Sequence, residues 1–113
     1  MKIIIATVVS SFLSSGAYAH SKVDTTTPSN QAVLAEVPAQ IDLDFAKKIR
    51  LTKVEVTHES DPTVPVGLDG QTRFERAFSL PLQNMGDGTY HIEWRGLGMD
   101  GHAMQGEFTF DVN

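Results

Sequence analysis

A chain of 113 residues with 41% hydrophobic and 20% charged side chains is enough for one domain and too apolar for disorder. Fourteen acidic against nine basic side chains give a net charge of −5 with no basic block, so phosphate-backbone attraction cannot drive binding and nucleic acid is not an expected partner. The absence of cysteine excludes disulfides, thiolate zinc sites, iron–sulfur ligation and thiol nucleophiles, and leaves nitrogen, carboxylate oxygen and thioether as the possible metal donors.

Residues 1–19 read as a signal peptide. Met1 and Lys2 form a short positive start, Ile3 to Leu13 is apolar apart from Thr7, Ser10 and Ser11, and Ala17-Tyr18-Ala19 has the small-x-small pattern of a cleavage site. An uncleaved anchor is the alternative, but the apolar stretch falls well short of the roughly 20 residues that cross a bilayer. Cleavage after Ala19 leaves a single domain, residues 20–113, one charge more negative for the loss of Lys2.

The new first residue is then His20. A terminal histidine offers a free α-amine and the imidazole Nδ1, which close a six-membered chelate ring on one metal ion. The competing explanation is that some residue must follow every cleavage site.

Downstream the apolar pattern has period two. Thr27-Pro28-Ser29-Asn30 is a turn, and Gln31 to Val37 holds at most one helical turn. Ile41, Leu43 and Phe45 alternate with Asp42 and Asp44, which predicts a half-buried strand. Leu51 to Thr57 predicts another strand with weaker alternation, followed by loop signals at Ser60-Asp61-Pro62 and Asp69-Gly70. Phe74 to Leu80 is a further short β-rich run, interrupted at Arg76. After Gly86-Asp87-Gly88, Tyr90, Ile92 and Trp94 alternate with His91, Glu93 and Arg95, and Phe108, Phe110 and Val112 form the last strand. Six or seven short strands in a domain of this size predict an antiparallel sandwich or small barrel, with Trp94 central and Phe45, Phe78, Tyr90, Phe108 and Phe110 around it.

Between the Trp94 strand and the Phe108 strand lies Gly96-Leu97-Gly98-Met99-Asp100-Gly101-His102. In extended chain, residues i and i+2 point to one side, so Asp100 and His102 can converge on one ion while Gly101 adds no obstruction. The plainer reading is a hairpin loop in which Asp100 caps a turn and His102 is solvated. With His20, however, the pair makes a set of three nitrogens and one carboxylate oxygen, which suits tetragonal copper(II).

The other histidines are weaker candidates. His91 falls on the polar face of its strand, and His58, near Asp61, is expected to be an exposed loop residue. Met104 is expected in the core, and Met99 is left open as a thioether donor. No residues form a nucleophile motif or a phosphate-binding glycine loop.

Taken together, these stretches resemble the CopC-type family of periplasmic copper-binding proteins. The resemblance is carried by His20, Thr27-Pro28-Ser29-Asn30 with Val33-Leu34, Pro38 to Phe45, Gly88 to Arg95, and Asp100-Gly101-His102 followed by Gly106 to Phe110. It implies an all-β, Ig-like Greek-key β-barrel or sandwich of about seven antiparallel strands. It also implies one copper(II) ion on His20, Asp100 and His102, and a role in copper sequestration or delivery, usually beside an inner-membrane partner of the CopD type.

Three departures stand out. Ser21 and Ala103 follow the two histidines where the family commonly has proline. Ala46-Lys47 replaces a frequent Ser-Glu pair. The methionine-rich loop of some members is missing, its region being Val56 to Val64, so no dedicated copper(I) site is expected.

The expected function is therefore a non-catalytic copper carrier in the periplasm. Two alternatives are a small histidine-brace copper monooxygenase-like enzyme and a metal-free Ig-like assembly module. The first is opposed by the short domain, which lacks the long loops of a substrate face, and by Asp100 in a position that oxygen chemistry would need.

Overall fold

The computed structural model describes residues 23–70 and 72–113. The signal peptide expected at 1–19 lies outside the described residues. These fold into seven strands and no helix: β1 (Val23–Thr27), β2 (Ala32–Leu34), β3 (Gln40–His58), β4 (Val64–Pro65), β5 (Glu75–Pro81), β6 (Gly88–Gly98) and β7 (Ala103–Val112). Hydrogen-bonded neighbours run β1-β3-β6-β7-β2, with β4 and β5 also on β3. The result is one curled sheet with the expected all-β architecture.

Its backbone is β3, whose 19 residues span both runs that the sequence suggested were separate strands. The first part pairs with β1 and β5, Leu43 lying opposite Thr26 and Phe78. The second part pairs with β6 from Ile49↔Gly98 to His58↔Tyr90, and with β4 at Glu55 and Val56. Between them Ala46, Lys47 and Lys48 are all exposed and the β5 register slips, so the strand turns here from one ladder to the next. A bulge between Leu51 and Lys53 explains the weak alternation. Thr52 is the extra residue, so the buried positions change from odd (Ile49, Leu51) to even (Val54, Val56, His58).

The inward faces form a single core. Ile41, Leu43, Tyr90 and Ile92 are fully buried, and Trp94 is edge-on to Phe45, their ring centroids 5.0 Å apart. Tyr90 stacks on Phe110 at 5.1 Å, and its hydroxyl donates to the Gly86 carbonyl at 2.6 Å, which satisfies the one polar atom of a fully buried ring.

Two features depart from the sequence reading. Residues 32–34 are a strand and not a helical turn, and they pair parallel to β7, so the sheet is mixed. The reason is the preceding turn: Asn30 Oδ1 accepts from Thr109 N at 3.0 Å and Gln31 N donates to Thr109 O at 2.6 Å, which fixes the turn against β7 and delivers the following residues along its edge. Gln31 takes a φ of 70° to make that turn.

Candidate metal centre

Strands β6 and β7 form a hairpin with unbroken register from Gly88↔Val112 to Leu97↔Ala103. Residues 99–102 are its tip. Gly101 N donates to Gly98 O and Gly98 N to His102 O, both at 2.9 Å, and Gly101 has a φ of 88°, the left-handed conformation that lets such a hairpin end close without a Cβ clash. Glycine is therefore favoured at 101 for backbone reasons, since a side chain there would be strained although nothing lies in its way.

This geometry brings Asp100 and His102 together. Asp100 Oδ1 accepts from His102 N at 3.0 Å, and Oδ2 lies 2.8 Å from His102 Nδ1. An ionised carboxylate only accepts, so Nδ1 carries the proton and Nε2 faces outward with no hydrogen bond among the described residues. The side chains are 67% and 84% exposed, so an ion can reach both from solvent. The carboxylate also curls over Gly98, where an added Cβ would come within 3.0 Å of Asp100 Oδ1.

Each group shifts the other's protonation. Hydrogen bonds from the His102 amide and ring hold the Asp100 carboxyl below its ordinary value, and the carboxylate in turn raises the His102 imidazole. A carboxylate that orients an imidazole and increases its basicity is a recurring arrangement beside metal ions.

His20 lies outside the described residues. The described chain nevertheless begins at the tip end of the sheet: Val23 is opposite Phe45 on β3, and four residues further along β3 Ile49 pairs with Gly98.

Of the remaining candidates, Met99 is 69% exposed at the tip, and Met104 is partly buried against the core as expected. The expectation for His58 is corrected. It is 7% exposed, because it continues the inward series Val54, Val56 that begins after the bulge and packs against Tyr90 at a ring distance of 4.7 Å. Its nitrogens are occupied by Asp61 Oδ2 at 3.2 Å and Asp87 O at 2.8 Å, so His58 fastens two loops at the opposite end of the β6–β7 hairpin. Counting alternate residues from Val54 would have found this.

His91 lies on the outer face, as its alternation predicts, with Nε2 2.8 Å from Glu107 Oε1. Its closeness to Glu107 was not foreseen, because cross-strand register is not written in either strand alone.

Comparison with known proteins fits this fold. The CopC domain family model matches residues 23–113, and the chain belongs to that family. The chain is 27% identical to Copper resistance protein C of Xanthomonas campestris pv. juglandis over 118 residues, which cover 93% of this chain and 89% of the relative. Its fold is similar to that of CopC from Methylosinus trichosporium OB3b, with a TM-score of 0.69 and 22% identity over 83% of this chain and 94% of the other. It is also similar to PcoC, a methionine-rich copper resistance protein from Escherichia coli, with a TM-score of 0.58 and 25% identity over 84% of this chain and all of the other.

Proposed function

We propose, from the premise that this is a CopC-domain protein, that the exported chain binds one copper(II) ion and sequesters or carries it in the periplasm without catalysing a reaction. His20 supplies its α-amine and imidazole, His102 its Nε2, and Asp100 a carboxylate oxygen. To ligate, Asp100 exchanges its bond to His102 Nδ1 for the ion, a rotation that its exposure at the tip permits.

The observation that carries this reading is the Asp100–His102 pair on the hairpin tip, at the end of the sheet where β1 enters. Val23 is three positions from His20, a reach of at most about 10 Å in extended chain. Nitrogen donors with one carboxylate favour copper(II) over copper(I), which thioethers favour. The chain has four methionines, of which Met1 belongs to the expected signal peptide, in contrast to the methionine-rich PcoC. A CopD-type inner-membrane protein is the expected recipient or donor of the ion.

Electron paramagnetic resonance of the processed protein during a copper(II) titration tests the reading. A first, tightly bound equivalent with nitrogen hyperfine structure from more than one donor is expected. A spectrum of oxygen donors alone, or no binding, contradicts it.

A further inference from the structure

Away from the tip, the outer face of the sheet holds a second set of donors. Odd-numbered residues of β6 and β7 point outward, and the register sets Glu55 opposite Glu93 and Glu93 opposite Glu107. Three carboxylates thus stand in one row across three adjacent strands, which are spaced about 4.8 Å apart. His91 is one outward position along β6 from Glu93, and its Nε2 reaches diagonally to Glu107.

Like charges directly opposite one another destabilise a sheet. Two members of this row have partners, Glu55 the Lys53 Nζ at 3.3 Å and Glu107 the His91 Nε2 at 2.8 Å. Glu93, between them, makes no hydrogen bond or ion pair among the described residues. The next row along the strands is Lys53, Arg95 and Gln105, so cations stand near Glu93 without engaging it.

We infer that His91, Glu93 and Glu107 form a second site, for a divalent first-row cation of the zinc(II) or copper(II) class. One donor atom from each lies within 4.8 Å of the others, so an ion seated between them needs only side-chain adjustment on a fixed backbone. On binding, His91 exchanges Glu107 for an ion that both then share, and the opposed carboxylates of Glu93 and Glu107 are neutralised together. The imidazole is what selects this class over magnesium and calcium, which take oxygen alone. The site is distinct from the hairpin tip. From the Glu93↔Glu107 pair to the Leu97↔Ala103 pair is four residues of strand, about 13 Å. It holds a cation on the face of the protein independently of the tip.

The test is a zinc(II) titration of the exported chain followed by imidazole nitrogen NMR, which resolves each histidine. The His91 signals are expected to shift saturably, to do so equally in His102→Ala, and to need at least tenfold more zinc in a Glu93→Gln/Glu107→Gln variant. Unmoved His91 signals at millimolar zinc overturn the inference. So does an equal response in the double-glutamine variant, which would mean an isolated surface imidazole. Because His102→Ala removes the tip donor, a failure of the copper(II) proposal and a failure of this one give different results.

Discussion

Gly106→Ala should destabilise the fold by overpacking its core. Gly106 is paired in register with Trp94, and an added Cβ would lie 2.7 Å from Trp94 Cζ2 and Nε1 and 2.8 Å from Cε2. Carbon contacts are comfortable at about 3.5–4.0 Å, so the ring or β7 must yield by about 1 Å. The ring has little room to do so, being 3% exposed and edge-on to Phe45, which itself packs on Phe78 at 5.8 Å. Gly106 does not have a positive φ, so the cost is steric alone. Overpacking of this kind costs about 1–3 kcal/mol, and at about 4–8 °C per kcal/mol the Tm should fall by roughly 4–24 °C. Denaturant unfolding followed by the emission of Trp94, the only tryptophan, reads both the stability and the ring's surroundings. A loss below about 0.5 kcal/mol with unchanged emission would refute the packing of the indole over Gly106. The tip lies three register pairs away, at Leu97↔Ala103, so copper affinity should survive the substitution.

Three further outcomes follow from the same geometry. In competition titrations with a chelator, His102→Ala should weaken copper(II) binding more than Asp100→Ala, and His91→Ala should leave the tight site intact; equal losses at His91 and His102 would contradict the tip site. His102 is raised by Asp100, so Asp100→Asn should move the His102 titration of the metal-free protein to lower pH, and an unmoved titration by NMR would contradict the pairing. His58, raised chiefly by its bond to Asp61, contributes stability that is complete below its ordinary pKa and lost as pH rises through the raised folded value; His58→Ala should cost about 1–3 kcal/mol by leaving the Asp87 carbonyl without its donor, and should flatten stability against pH in that window, measured by denaturant unfolding.

Much of the sheet was legible because burial on one face writes itself into alternation. Tyr90-Ile92-Trp94 and Phe108-Phe110-Val112 are strands with the predicted inward faces. The joining of two runs into β3 was not legible, since Ala46, Lys47 and Lys48 look like a loop when read for burial, although the backbone stays extended through them. Nor was the parallel β2, which depends on bonds from Asn30 and Gln31 to Thr109, almost eighty positions away. At the site Asp100 and His102 do meet, but through a turn in which Asp100 Oδ1 caps the His102 amide and His102 stays exposed, and not through the extended chain that the i, i+2 spacing assumed. What spacing could not give is which ring nitrogen faces outward, because that follows from the Gly98 to Gly101 turn. The Glu55, Glu93, Glu107 row was equally hidden, because it exists only once three strands are set in register.

The central claim is that the ion is held jointly by the processed N-terminus and the hairpin tip. Its most direct test compares the copper(II) affinity of the chain beginning at His20 with that of a chain carrying one alanine before it, in competition with the same chelator. Such an extension leaves both imidazoles and Asp100 in place and removes only the α-amine from His20. The account predicts that the extended chain binds more weakly by more than tenfold, about 1.4 kcal/mol. Equal affinity in the two chains would contradict it.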